Sequence, residues 1–418
     1  MRLWEEYSSG DDWWDVQLYI DSTHVTSFGN VKYWGVFLWI GNVPKADRND
    51  QGGRGRAVLI AYLPSVGISK VVGFKEDSSS KLALHRAEVY HTALGIVFAD
   101  LELPAEHGTI FKFRDTFQSG IPIFMVVSAD YKEMVRISGI LGSKSLYPCP
   151  ICLVPKDKLL DLGHTWPART KESTDALITK ASWQRTKEAR KNTLACQSLR
   201  YIHNIFLAMF SMWYAVFKAF ILDHLHAIEQ GEFGKHIWPW LLEALPSTSQ
   251  SEIDRCFQQC PRFPGVHHFK NGVTSLKYIT GTEHGQILRY DEATKGLRNK
   301  DLGIGFEWYK HHSLDHAIDI IRKKGPTDNY KPGLGESLHP QVKADYERSS
   351  HHPGLADIQM TRMAEERDSI LRIRAKVDSF DEWEESLDVR PSVEPENPLD
   401  SQVLLYAATT PYESIMCA

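Results

Sequence analysis

Residues 121–130, IPIFMVVSAD, constrain the fold of this chain more than any other stretch. A continuous apolar run of this kind reads as a strand covered on both faces, not one with a wet side. Covering both faces requires helices packed on a sheet, which places the chain in the α/β class. Upstream, VQLYI (16–20), YWGVFLWI (33–40) and RAVLIAYL (56–63) are separated by Gly, Asn, Pro and Asp clusters and predict a three-stranded antiparallel meander. KLALHRAEVYHTALGIVFADL (81–101) has helical spacing behind a Ser run suited to capping. YKEMVRISGIL (131–141) predicts a second helix, and the Pro-bounded SLYPCPICLVP (145–155) predicts a last edge strand.

A chain of 418 residues has room for one large domain with insertions or for two to three ordinary ones. With 42% hydrophobic and 24% charged residues it is neither fibrous nor disordered throughout. The formal charge of −5 excludes a self-sufficient nucleic-acid binder, so any DNA contact must be local. Six cysteines behind an acidic, aromatic start (MRLWEEYSSGDDWWD) predict a reduced intracellular protein without a secretory leader. The apolar run 205–222, IFLAMFSMWYAVFKAFIL, is read as a buried core helix, with a single membrane span as the alternative.

Residues 165–325 are mostly helical in pattern. The basic stretch within them carries Lys180, Arg185, Lys187, Arg190 and Lys191. It reads as a solvated helix face or as a phosphate-contacting patch, to which Lys270 in HHFKNG is a further candidate. From 375 onward the chain turns acidic and Pro-containing, as a solvated tail would be. The organisation expected is a sheet-bearing part over 1–154, a helical insertion over 155–325, a completing segment over 326–375 and a disordered acidic tail over 376–418.

The strand order is that of a ribonuclease H-like mixed sheet, in which the first strand lies beside the fourth. Asp21 and Asp130 then end neighbouring strands at one sheet edge. Either acid alone is explained by turn capping. Together they repel unless a cation lies between them, and hard oxygen ligands suit Mg²⁺ or Mn²⁺. Asp223 and His226, three apart, share a helix face and form either a hydrogen-bonded pair or part of a site. Cys149 and Cys152 in CPIC have the spacing of half a zinc site. Cys256 and Cys260 lie on neighbouring turns of one helix, with His226, His267 and His268 as candidate completers; two buried thiols are the simpler reading.

The blocks YIDSTHVTSFG, YWGVFLWIGNVPKADR, AVLIAYLPSV, VVSADYKE, CPICLVPKDKLLDL, LDHLHAIEQGEFGKHIWP, FPGVHHFKNGVTSLKYITG and NYKPGLGESLHPQVKADYE occur in that order between about residues 12 and 375. Together they resemble the Plavaka-type transposases of fungal DNA transposons, relatives of the CACTA group. The resemblance implies a DDE transposase with a ribonuclease H-like core and a helical insertion. It implies catalytic, metal-holding Asp21, Asp130 and Glu336, accessory Asp223 and His226, and two Mg²⁺ or Mn²⁺ ions. Its partners would be transposon ends and target DNA in the nucleus, with a homo-oligomer and no membrane. By comparison with such relatives the chain starts close to Asp21, and the span from HHFKNG to Glu336 is short. A truncated or degenerate copy is therefore expected, and two functions follow: metal-dependent strand cleavage and transfer, or an inactive remnant that binds DNA or protein.

Overall fold

The computed structural model describes residues 13–26, 31–45, 48, 57–64, 79–113, 116–208, 216–259, 262, 267–277, 279–290, 309–330, 333–352 and 354–388. The chain divides into two compact units, 1–366 and 367–418.

The first unit is built on a mixed five-stranded sheet. Its strands are β1 (Trp13–His24), β2 (Lys32–Ile40), β3 (Val58–Leu63), β4 (Thr109–Phe113) and β5 (Thr116–Ser128), in the order β3-β2-β1-β5-β4. β1, β2 and β3 form the expected antiparallel meander, and β5 lies parallel to β1. The β4–β5 hairpin is an addition that the sequence did not suggest. The class is α/β, as the apolar run 121–130 requires.

β1 alternates strictly, and both of its faces are buried. Val16, Leu18 and Ile20 pack with Ile123, Phe124 and Val127 of β5 and with Tyr90, Leu94 and Phe98. The last three belong to or directly follow helix α1 (Ser79–Val97). Tyr19 packs on the opposite face, with Phe37, Trp39, Val342 and Tyr346. Burying both faces of a strand explains why apolar side chains run without a polar break in β5.

His91 of α1 is buried in this core. Its Nε2–H donates to the Arg136 carbonyl at 3.0 Å, and its ring meets Phe206 edge-on. Burial, partly opposed by that bond, brings its pKa down to about 4. A histidine held neutral in the fold stabilises fully above the unfolded value near 6.5, and loses that contribution as pH falls toward 4. The gap corresponds to about 3 kcal/mol. Denaturant unfolding at pH 7 and pH 4 should show an acid loss of this order in the native chain. His91→Gln, which donates without titrating, should reduce it by about that amount, leaving the share of other histidines; equal acid sensitivity in both would refute the assignment.

The apolar run 205–222 enters the same core. Short helices at Ile205–Ala208 and Val216–Ala219 bury Ile205, Phe206, Leu207, Val216 and Phe217 against the sheet, and 209–215 lie outside the described residues. No helix among the described residues is long and apolar enough to cross a membrane. Phe220 pairs in parallel with Val127, so this stretch lies along the edge of β5 opposite β1. Half-buried Lys324, with its pKa lowered by burial to about 7, fastens the arrangement by donating to the carbonyls of Met125 and Ala219.

The edge strand predicted over 145–155 does not form. Those residues make turns, with one isolated bridge from Cys152 to Ala168. The Cys149 sulfur accepts the N–H groups of Ile151 and Cys152, curling the chain. Buried Arg169 takes the carbonyls of Tyr147 and Cys149 that a strand would have offered to a sheet, and that of Gln197 as well. A short Pro-bounded apolar run buries equally well as a strand or as a turn, and here these bonds select the turn.

The described residues of 155–325 fold mainly as helices within the first unit. The solvated tail expected from 376 is helical up to 388, because helix α2 (Ala356–Asp388) runs through it. Its residues are mostly good helix formers without Pro, and charge alone does not oppose a helix. Residues 389–418 lie outside the described residues.

Candidate functional site

Three acids reach one sheet edge through strand register. Tyr19 of β1 pairs with Ser128 of β5, and Asp21 and Asp130 each lie two residues further on. Val127 pairs with Phe220, and Asp130 and Asp223 each lie three residues further on. Asp21 is not the end of its strand, as the sequence reading had it. β1 continues to His24 against β2, opposite Gly35 at Asp21, while its pairing with β5 stops at Tyr19. The loss of that one neighbour opens the edge on which Asp21 stands.

Asp130 caps the helix Tyr131–Ser138, its Oδ1 accepting from the Glu133 N–H at 2.7 Å, so the turn-cap reading holds for it as well. Asp223 opens an unusual π-helix, Leu225–Ile237. Wide turns of this type are rare and recur at functional sites. Here the turn folds His226 back onto Asp223: the His226 backbone N–H donates to Asp223 Oδ1 at 3.0 Å, and Nδ1 lies 2.6 Å from Oδ2.

Glu336 arrives from the far end of the unit on a short turn of helix, Gly333–Glu336, with Oε1 3.6 Å from His226 Nδ1. A Cβ on Gly335 would stand 2.4 Å from the Tyr19 ring, so only glycine lets this turn approach β1 closely enough. The Tyr19 hydroxyl donates to Asp21 Oδ2 at 3.2 Å and lies 3.2 Å from His339 Nε2. His339 is itself 3.9 Å from Asp21 Oδ2.

The electrostatics are those of crowded anions. Burial raises the Asp21 pKa, the Ser22 N–H opposes it, and the Asp130 charge raises it further. Burial likewise raises Glu336, with His226 opposing and Asp223 and Asp21 adding. The bond from Asp223 lifts His226 to about 9 against its burial, with Asp223, Glu336 and Asp21 all favouring the imidazolium. Burial holds His339 down to about 4, so it is neutral beside them. Half-buried carboxylates that disfavour one another's charge form a donor set for a hard divalent cation.

A second cluster lies in the turn 149–152. Cys149 and Cys152 are joined there by His312 and His316, and every ligand atom lies within 4.8 Å of the others. It is the one set of three or more that closes so tightly among the described residues. Cys152 Sγ is 3.2 Å from His312 Nε2, and Cys149 Sγ is 3.4 Å from His316 Nε2. Burial raises the Cys149 thiol, but bonds from Cys152, His312 and His316 outweigh it and bring it well below the usual value. His312 Nδ1 and Asp315 Oδ2 are buried 3.7 Å apart, beyond hydrogen-bond reach. Two thiols and two imidazoles fit a closed tetrahedral site.

The completers expected from sequence are elsewhere. His226 serves Asp223, His267 faces Glu283 at 3.8 Å, Cys256 is exposed, and Cys260 lies outside the described residues. The H-x₃-H spacing of His312 and His316 in HHSLDH was the available signal. Tyr19 and His339 had also gone unmarked, although His339 stands three residues after Glu336. Lys180, Arg185, Lys187 and Lys191 are exposed on or between the helices Lys171–Ser182 and Lys187–Ala195. Arg190 lies over the Tyr201 ring at 5.2 Å, and Lys270 is exposed on a turn.

The family model of the Plavaka transposase matches residues 1–241, more than half of the chain. The chain belongs to the Plavaka transposase family. The match contains Asp21, Asp130, Asp223, His226, Cys149 and Cys152, while Glu336, His312 and His316 lie beyond it. No curated protein matches the chain. Membership in the Plavaka family implies DNA as partner and a divalent metal in use.

Proposed function

We propose that this Plavaka-family chain is a DDE-type transposase with a ribonuclease H-like core, acting on the phosphodiester bonds of transposon ends and target DNA in the nucleus. The observation that carries the reading is the gathering of Asp21, Asp223 and Glu336, from three separate segments, around the His226 imidazole, with the Asp130 charge acting on Asp21.

Asp21, Asp130 and Glu336 would hold two Mg²⁺ or Mn²⁺ ions. Ions about 3.5–4 Å apart activate the attacking hydroxyl or water and stabilise the leaving oxygen. Tyr19 turns Asp21 toward the site through its hydroxyl, and His226, fixed by Asp223, sets the position of Glu336. The cluster of Cys149, Cys152, His312 and His316 would hold a structural Zn²⁺. Lys180, Arg185, Lys187, Arg190, Lys191 and Lys270 are the candidates for phosphate contacts.

Mn²⁺ titration of the purified chain, read by calorimetry, tests the reading. The wild type should bind, and Glu336→Gln should weaken binding about tenfold or more, since one of few charged oxygen ligands is lost. Absence of binding in the wild type would favour an inactive remnant that contacts DNA or protein without chemistry.

A further inference from the structure

Trp183 stands 75% exposed, whereas tryptophan is on average a highly buried side chain. It lies in the turn between the helices Lys171–Ser182 and Lys187–Ala195. Looseness does not account for the exposure, because the turn is tied down on both sides. Ala181, two residues before the ring, is fully buried with Ile140, Leu194 and Leu199. The Gln184 N–H donates to the Ala181 carbonyl at 3.1 Å, and Arg190 Nε donates to the Gln184 carbonyl at 3.1 Å. The Thr186 hydroxyl caps the second helix, accepting from the Ala189 N–H at 3.1 Å. This hairpin is fastened in turn beyond the end of the helix that Asp130 caps: the Arg200 N–H donates to the Gly139 carbonyl and the Leu141 N–H to that of Ser198, both at 2.8 Å.

Along the chain the neighbours of Trp183 are polar and basic. From Thr179 to Lys187 every residue other than Ala181 and Trp183 itself is polar or charged, and Lys180, Arg185 and Lys187 are exposed. Over 179–193 five cations stand against one acid, Glu188, in a chain whose net charge is −5, so the basic field is local to this hairpin. A protein or lipid surface calls for a contiguous apolar patch, which the residues on either side of Trp183 do not supply. A single open aromatic face in a cationic field matches a nucleobase with its flanking phosphates. Bases inside a duplex are covered on both faces by their stacked neighbours, so the base taken is an unpaired one. We propose that Trp183 is a stacking platform for an unpaired DNA base, whose flanking phosphates lie against Lys180, Arg185 and Lys187. The inference rests on DNA as the partner, which membership in the Plavaka family implies.

The test is fluorescence anisotropy of the full chain, without Mg²⁺ or Mn²⁺, against labelled oligothymidine and against its duplex with oligodeoxyadenosine. Trp183→Ala should weaken binding to the single strand about tenfold or more, the worth of one base stack, and leave affinity for the duplex within about twofold. Trp183→Phe, which keeps an aromatic face, should recover most of the loss. Both variants should melt as the wild type does, because the ring is exposed. The triple variant Lys180→Glu/Arg185→Glu/Lys187→Glu should weaken binding to both DNAs and lower its salt dependence, as lost phosphate contacts do. A wild type that binds only the duplex, or a Trp183→Ala variant that loses nothing or loses equally on both DNAs, overturns the platform and leaves DNA as the partner. A wild type that binds neither DNA overturns both. Because no catalytic ion is present, the result stands apart from the metal chemistry proposed above.

Discussion

Asp21→Asn should abolish metal-dependent strand cleavage, lowering it roughly a thousandfold or more, which corresponds to about 4 kcal/mol of transition-state stabilisation. The replacement keeps the shape of the side chain and its place opposite Gly35, but removes the charge that a divalent ion would neutralise. Stability should move the other way. The carboxyl of Asp21 is held above its ordinary pKa by burial and by Asp130, so the folded chain binds its proton more tightly than the unfolded chain does. Its stabilising contribution is complete at low pH and is lost as pH rises through the folded value. At neutral pH the Asn variant should therefore melt higher than the metal-free wild type, as expected where an active site holds strained charges. Cleavage of a labelled DNA end and a thermal scan on the same preparations check both signs. Undiminished cleavage by the variant would remove Asp21 from the chemistry.

Chelation of zinc, or Cys149→Ser, should lower the melting temperature of the chain by on the order of 10 °C. Structural zinc contributes folding free energy directly, on the order of 10 kcal/mol in the smallest domains. In a large unit only part of that appears, and each kcal/mol shifts melting by only about 2–4 °C. The site joins the turn 149–152 to the helices Tyr309–His312 and Leu314–Lys324, and the second of these is tied to β5 through Lys324. Its loss should therefore loosen the sheet as well as the turn. Elemental analysis should find one zinc per chain in the wild type and none in Cys149→Ser or His312→Ala. Cys256→Ser, at an exposed thiol outside the cluster, should leave both metal content and melting unchanged. A wild type without stoichiometric zinc would refute the site.

The strands were legible because their constraint is local. Val16, Leu18 and Ile20 alternate with Gln17 and Tyr19, and a period of two admits few structures other than a paired strand. The 121–130 run announced its own burial by having no polar side. The segment 145–155 misled because periodicity does not separate a short buried strand from a short buried turn; Arg169, distant in sequence, supplies the carbonyl partners that decide it. His312 and His316 went unassigned because a ligand set is defined by distances in space, and the two imidazoles lie 160 and 167 positions from the sulfurs they face. Helix α2 was taken for tail beyond 375 because charge density is shared by solvated chains and by exposed helices.

By itself, then, the amino-acid sequence determined the α/β class and the antiparallel meander, while the placement of the 121–130 strand beside the first one rested on the ribonuclease H-like strand order and its parallel direction came from the structure. Class and meander follow from side-chain alternation and burial, which act over a few residues. Only the tertiary structure decided that β1 runs past Asp21 while its pairing with β5 does not, and that Phe220 brings Asp223 level with Asp130. It also decided that Gly335 admits Glu336 to His226, and that the thiols of CPIC face two histidines of another segment. Each of these is a meeting of segments far apart in the chain, selected by packing volume and by the need to satisfy buried polar groups, and no local pattern encodes such a meeting.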